Sequence, residues 1–191
     1  MRWCVYCASS PGVDPRVTAA TRELGHAFAQ RGIELVYGGG RTGLMGTVAD
    51  AAIEAGGHVI GVIPQALDDR EVAHRGISDL RIVASMHERK QLMADLSDGF
   101  IALPGGFGTF EEYCEAVTWV QLHIQSKPCI LVNLFGYYDP LIAMFDRGVS
   151  AGFISAANRG IVRVVQTIPE LLDAMTATPP ATPGKNSALL P

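Results

Sequence analysis

Residues 100–112, Phe-Ile-Ala-Leu-Pro-Gly-Gly-Phe-Gly-Thr-Phe-Glu-Glu, constrain the fold more than any other stretch. The stretch opens as a short apolar run, the pattern of a buried parallel strand. Pro104, Gly105, Gly106 and Gly108 break that run. A helical pattern then extends from Thr109 to about Gln125. Strand, glycine turn and helix start bring backbone N–H groups to the positive end of a helix dipole, where an anion such as phosphate is favoured. Glu111 and Glu112 follow within the first helical turn. A phosphate cradle beside carboxylates points to chemistry on a phosphorylated molecule.

The remainder of the chain repeats this alternation. Strands are expected over residues 2–8, 34–37, 58–64, 79–84, 128–133 and 161–165, and helices over 15–31, 44–55, 86–98, 139–151 and 169–175. Residues 65–76 are polar and carry no assignable period. Strands alternating with helices imply an α/β fold: a Rossmann-like, doubly wound parallel sheet with helices on both faces, one domain over residues 1–176. Ligands of such folds bind outside the carboxyl ends of the strands. Three loops leave strands at that edge: Ser9-Ser10, Gly38 to Gly43, and Gly105 to Thr109. Residues 177–191 hold four prolines and no apolar period, and read as a mobile tail.

Composition excludes several classes. A chain of 191 residues that is 48% hydrophobic can bury a core, and a formal charge of −4 argues against nucleic-acid or membrane-surface partners. No apolar run approaches the roughly 20 residues of a membrane span. The segment after Arg2 reads as a strand rather than a signal peptide, so a cytoplasmic location is expected. Cys4 and Cys7 form a C-x-x-C, but residues three apart on a strand point to opposite faces, so both are expected as core thiols. The five histidines are dispersed, so no metal is expected, nor any other cofactor. Walker A and Gly-x-Ser-x-Gly patterns are absent.

Other motifs leave more than one reading. Gly38-x-Gly40-x-x-Gly43 matches the dinucleotide fingerprint, yet it follows the second strand and lacks the later acid. A mononucleotide-contacting loop is preferred to a bare turn or an NAD site. Thr109-x-x-Glu112 has the form of a capping box as well as of a catalytic turn. On the following helix Glu112, Glu115 and Trp119 share one face, and Tyr113, Val117, Val120 and Ile124 form an apolar stripe. Arg89 near a helix start opposes the helix dipole. It suits either a surface ion pair or a bidentate clamp on phosphate or carboxylate.

Pro104-Gly105-Gly106-x-Gly108-Thr109-x-x-Glu112 resembles the PGGxGTxxE signature of the LOG ("lonely guy") family. Glu88-Arg89-Lys90 and Gly38-Gly39-Gly40 resemble two further blocks of that family, and the resemblance spans roughly residues 2–175. These proteins are cytokinin-activating nucleoside 5′-monophosphate phosphoribohydrolases, long labelled lysine decarboxylases. The resemblance implies cleavage of an N6-modified AMP to free base and ribose 5-phosphate, without a cofactor, by a homodimer. It makes Glu112 and Arg89 catalytic. Arg89, Lys90, Glu71 and Thr118 become substrate contacts, with Gly105, Gly106, Gly108 and Thr109 around the phosphate. Ser10, Gly39, Gly40, Glu111 and Glu115 are further candidate contacts. Lys90 is the one lysine placed to serve a pyridoxal cofactor, and nothing marks such a site. A broad AMP nucleosidase, a non-catalytic nucleotide sensor and a dinucleotide oxidoreductase are the alternatives.

Overall fold

Apolar runs bounded by glycine and proline become strands β1 (Arg2–Tyr6), β2 (Glu34–Tyr37), β3 (Val59–Pro64), β4 (Asp79–Val83), β5 (Gly99–Ala102), β6 (Cys129–Val132) and β7 (Val162–Val165). The structure is a computed structural model and describes residues 1–68 and 72–176. The strands form one seven-stranded sheet in the order β4-β3-β2-β1-β5-β6-β7. All neighbours are parallel. Every residue of β3 and β5 is buried, as a sheet covered on both faces requires. The mobile tail expected over 177–191 lies outside the described residues.

The helices are α1 (Pro15–Gln30), α2 (Gly43–Glu54), α3 (Gln65–Asp68), α4 (Met86–Leu96), α5 (Phe107–Gln121), α6 (Asp139–Ser150), α7 (Ala156–Arg159) and α8 (Ile168–Thr176). Asp14 starts α1 by accepting from Arg16 N at 2.9 Å, and Pro15 takes the first helical position. Gly32, at φ +64°, follows its last turn in the conformation that favours glycine. Leu24 and Phe28 of α1, Leu44 and Val48 of α2 and Leu171 of α8 pack with Trp3, Val5 and Leu35 on one face of the sheet. Met93 of α4 and Tyr113 and Val120 of α5 pack with Cys4, Val36 and Phe100 on the other. Each fully buried large side chain of this kind stabilises the fold by about 1.5–3 kcal/mol.

Cys4 and Cys7 belong to these opposite faces, and both are free thiols. Burial pushes both thiols well above the ordinary range, so they stay protonated.

The strand order runs outward from β1 in both directions, so a crevice opens where the chain leaves β1 and β5. Three segments are knitted together there. Ala8 N donates to Pro104 O at 3.2 Å, and Met45 N donates to Ala8 O at 3.2 Å. Gly43, at φ +61°, lies so close to the Ser9–Ser10 backbone that a Cβ would approach Ser10 N to 2.3 Å. The Gly-x-Gly-x-x-Gly segment is thus pressed against the first loop, and its last glycine is required by that contact.

Three expectations need correction. α5 begins at Phe107 and ends at Gln121, earlier at both ends than the apolar period suggests. Ile124 therefore falls beyond the helix and is exposed, not part of a buried stripe. Thr109 is not an N-cap either. Gly106 holds that position, with Phe110 N the first amide to reach a carbonyl four residues back, Gly106 O at 3.0 Å. Residues 65–76 also contain structure without a sequence period: α3, and an antiparallel bridge between Gly40 and Ala73.

Candidate active site

The first turn of α5 carries amides at Gly106, Phe107, Gly108 and Thr109 that precede the first intrahelical bond and so have no partner within the helix. All four residues line a cavity of about 590 Å³. A Cβ added to Gly106 or Gly108 would meet nothing within 4 Å, so no protein atom covers these glycines. Thr109 is buried and turns its side chain against Gly105, where a Cβ would come within 2.1 Å of its Oγ1. The loop is narrow at Gly105 and open at Gly106 and Gly108.

α4 supplies the cation. Ser85 Oγ accepts from Glu88 N at 3.1 Å, and Glu88 Oε2 accepts from Ala84 N at 2.8 Å. This is a variant of the Ser-x-x-Glu cap, with the glutamate bonded to the residue before the cap rather than to the cap itself, and it fixes the first turn of α4. Arg89 follows directly and is 8% exposed. Its Nε donates to Val62 O at 3.1 Å and its Nη2 to Gly38 O at 3.1 Å. Nη1 stands 3.6 Å from Met86 Sδ and 3.9 Å from Glu112 Oε1. Two backbone carbonyls and a carboxylate offset the unfavourable place of this cation at a helix start.

Glu112, 9% exposed, faces Arg89 from the second turn of α5. Burial pushes its carboxyl above the ordinary glutamate range, and the Arg89 charge opposes that rise without cancelling it. A carboxylate poised in this way, beside a cation and below unpaired amides, can stabilise positive charge or accept a proton from water.

Ser10, Gly40, Arg89, Gly106, Gly108, Thr109, Glu111 and Glu112 come together around the cavity. Gly39 sits behind it at φ +74°, its carbonyl accepting from His74 N at 2.8 Å. Gly105 lies on the other side of its loop, against a separate apolar cavity. Lys90 is not among the residues that line the cavity. Its Nζ bridges Glu111 Oε1 at 2.5 Å and Glu115 Oε1 at 3.0 Å, tying α4 to α5. Burial works against the charge on Lys90, but the two carboxylates outweigh it and hold its pKa up. Thr118 Oγ1 donates to Cys114 O at 2.7 Å, within its own helix and away from the cavity lining. Glu71 lies outside the described residues.

Ile63, Leu67, Val72 and Met86 were not anticipated and also shape the cavity, together with Gly38, Thr42 and Phe107 of the two glycine loops. The Ser85–Glu88 cap was available as a Ser-x-x-Glu pattern just before the helix. A larger polar depression of about 710 Å³ lies around Asp50, Asp68, His74 and Arg75. There the acids are already paired, His74 Nε2 with Asp50 Oδ1 at 2.8 Å and Arg75 Nη2 with Asp68 Oδ1 at 2.6 Å. It contains neither the glycine-loop amides nor the Arg89–Glu112 pair. Among the described residues no three His, Cys, Asp or Glu side chains gather in a metal-holding group.

A family model described as possible lysine decarboxylase matches residues 45–175. The cytokinin riboside 5′-monophosphate phosphoribohydrolase LOG of Oryza sativa subsp. japonica is 49% identical over 171 residues, covering 90% of this chain and 71% of that protein. The corresponding LOG3 of Arabidopsis thaliana is 47% identical over 171 residues, covering 90% of this chain and 80% of that one. The chain belongs to the LOG family. Among solved structures, the LOG fold is shared by the molybdenum cofactor carrier protein of Chlamydomonas reinhardtii. That protein has a TM-score of 0.68 at 23% identity over 91% of this chain and 94% of its own. The molybdenum cofactor binding protein of Rippkaea orientalis has a TM-score of 0.65 at 20% identity, over 92% and 96%. These two likenesses concern the LOG fold alone. The older decarboxylase description finds no support in the site geometry: Lys90, on the helix that carries Arg89, is already engaged by two carboxylates.

Proposed function

We propose that this chain hydrolyses the N-glycosidic bond of a cytokinin riboside 5′-monophosphate, an N6-modified AMP, to the free base and ribose 5-phosphate. One observation carries the reading: the buried Arg89–Glu112 pair shares a cavity with the unpaired amides of Gly106 to Thr109, in a chain 49% identical to a LOG phosphoribohydrolase.

In this reading the amides of Gly106, Phe107, Gly108 and Thr109 hold the 5′-phosphate, aided by the α5 dipole. Bond cleavage sends the C1′–N9 electron pair to the purine and leaves the ribose with oxocarbenium character, as in glycoside hydrolysis. Glu112 stabilises that charge and takes a proton from the water whose oxygen bonds to C1′. The purine takes up a proton from solvent as it leaves, and Glu112 returns its own proton to solvent, so the cycle closes. Arg89 favours the ionised form of Glu112 against the effect of its burial and helps to hold it in place. Lys90, Glu111 and Glu115 act as a charged brace between α4 and α5 at the rim.

A homodimer completes the proposal. The apolar side chains exposed at Phe107, Ile124, Met144 and Phe153 support an assembly contact. A cytoplasmic location fits four free cysteines and no disulfide among the described residues. No helix among those residues is long and apolar enough to cross a membrane.

The deciding experiment is chromatography of reactions with isopentenyl-AMP, AMP, isopentenyladenosine and adenosine. Release of base and ribose 5-phosphate from isopentenyl-AMP, about 10³-fold more efficient than from the nucleoside, is expected. Two or three charge-assisted hydrogen bonds of about 1.5–3 kcal/mol each account for that factor. Equal turnover of AMP would make the enzyme a broad AMP nucleosidase. Recovery of every nucleotide intact would make it a binder.

A further inference from the structure

The turn after β6 is built around Asn133, which is 2% exposed. Its Oδ1 accepts from Tyr138 N and its Nδ2 donates to Asp139 Oδ1, both at 2.7 Å. Residues 134–136 coil into a single tight turn with Phe135 and Gly136 at positive φ. The Arg16 guanidinium lies 4.3 Å above the centre of the Phe135 ring. This bracing aims two adjacent tyrosines at the carboxyl end of β5. Tyr138 Oη donates to Leu103 O at 2.6 Å, and Tyr137 Oη donates to Gly105 O at 2.5 Å. Their rings meet edge to face, with centroids 4.9 Å apart.

The second of these bonds bears on the site. Gly105 C=O and Gly106 N–H belong to one trans peptide, so they point in opposite directions. Tyr137 and Gly105 line an apolar cavity of about 410 Å³ on one side of the loop, with Pro11, Val13 and Val17. Gly106 also lines the cavity of Arg89 and Glu112 on the other side. A hydroxyl that holds the carbonyl on the first side directs the amide towards the second. Glycine on both sides deprives this peptide of the steric restraint that its own side chains would give, and the Tyr137 hydrogen bond supplies a restraint on its rotation.

We propose that Tyr137 is a positioning residue of the phosphoribohydrolase site: its hydroxyl sets the Gly105–Gly106 peptide so that the Gly106 N–H is presented to the 5′-phosphate. The inference rests on the phosphate role given to the α5 amides above. Tyr137 acts through the peptide and does not itself touch the substrate.

The test compares wild type, Tyr137→Phe and Tyr138→Phe. For each, kcat/KM is measured with isopentenyl-AMP and isopentenyladenosine, together with inhibition by ribose 5-phosphate and Tm. Tyr137 is half-exposed and loses only a hydroxyl, so the variant keeps its fold. In Tyr137→Phe the monophosphate-to-nucleoside ratio should fall about tenfold, the scale of one misplaced hydrogen-bond donor. Inhibition by ribose 5-phosphate should weaken by a similar factor, with nucleoside turnover unchanged. Tyr138→Phe should lower Tm and leave the ratio intact, because its partner Leu103 O precedes the glycine loop. An unchanged ratio and unchanged inhibition in Tyr137→Phe would overturn the proposal. So would an equal fall in both variants, which would reveal general loosening of the loop. A wild type without preference for the monophosphate would remove the phosphate reading itself, and this inference with it.

Discussion

Gly38 and Arg89 occupy one volume: a Cβ on Gly38 would lie 1.8 Å from Arg89 Nη2, the same nitrogen that donates to Gly38 O at 3.1 Å. The guanidinium fills the space that a side chain would take. Gly38→Ala should therefore expel it from its two carbonyls, at little cost to the fold because Arg89 is flexible at its far end. We expect kcat/KM to drop on the order of 10²-fold, with Tm changed by only a few degrees, since a change of about 1 kcal/mol moves Tm by no more than that in a chain of this size. A kinetic and calorimetric comparison with wild type checks both halves.

Glu112→Gln should abolish most turnover, by about 10²–10⁴-fold if the carboxylate acts in proton transfer. The helix cap is not at stake, because Gly106 rather than Thr109 begins α5. A neutral amide also removes a buried charge, so Tm should hold or rise. Single-turnover rates with isopentenyl-AMP and thermal melts of the same samples measure this. Near wild-type turnover would exclude Glu112 as the catalytic group.

Arg89→Lys keeps the charge and loses the fork. The native side chain reaches Val62 O, Gly38 O and Glu112 from three separate nitrogens. One ammonium cannot span them. A fall in kcat/KM on the order of 10²-fold is expected. Near-normal kinetics would show that charge alone suffices there.

The raised carboxyl of Glu112 predicts two pH effects. The acid limb of kcat/KM should lie above the ordinary glutamate range, because the ionised form is the active one. Weakening the Arg89 charge, as in Arg89→Met, should move the limb of the residual activity higher still, since that cation is what opposes burial. Stability follows the opposite course. A folded pKa above the unfolded one favours the protonated folded form, so this contribution is full below the unfolded pKa and lost as pH rises through the folded one. Melts of wild type and Glu112→Gln should diverge across that window, with wild type losing relative stability at the higher pH.

The sequence made the framework legible through contrasts in composition. Apolar runs stopped by Pro104 or Gly38, and a helix stopped by Gly32, are visible locally, and so is the alternation that forces a parallel sheet. Glu112 could be singled out because the whole glycine turn is contiguous with it. The seat of Arg89 could not, because its partners Val62 and Gly38 are 27 and 51 residues away in the chain. The pairing of Lys90 was hidden for the same reason: its partner carboxylates, Glu111 and Glu115, lie on another helix. Thr109 looked like a cap because its spacing to Glu112 was right, yet the preceding glycine turn lets the helix start sooner.

The central place of β1 has a consequence for how activity arises during folding. Arg2 N donates to Asp98 Oδ2 across a separation of 96 residues, and β1 pairs with β5 just beyond. Closing so long a loop is an entropic cost met before the pairing gives any return. The loop after β1, the Gly38 turn and the first turn of α5 cannot meet until that closure is made. Helical signal should thus recover first in refolding, and catalysis only when the two central strands have joined.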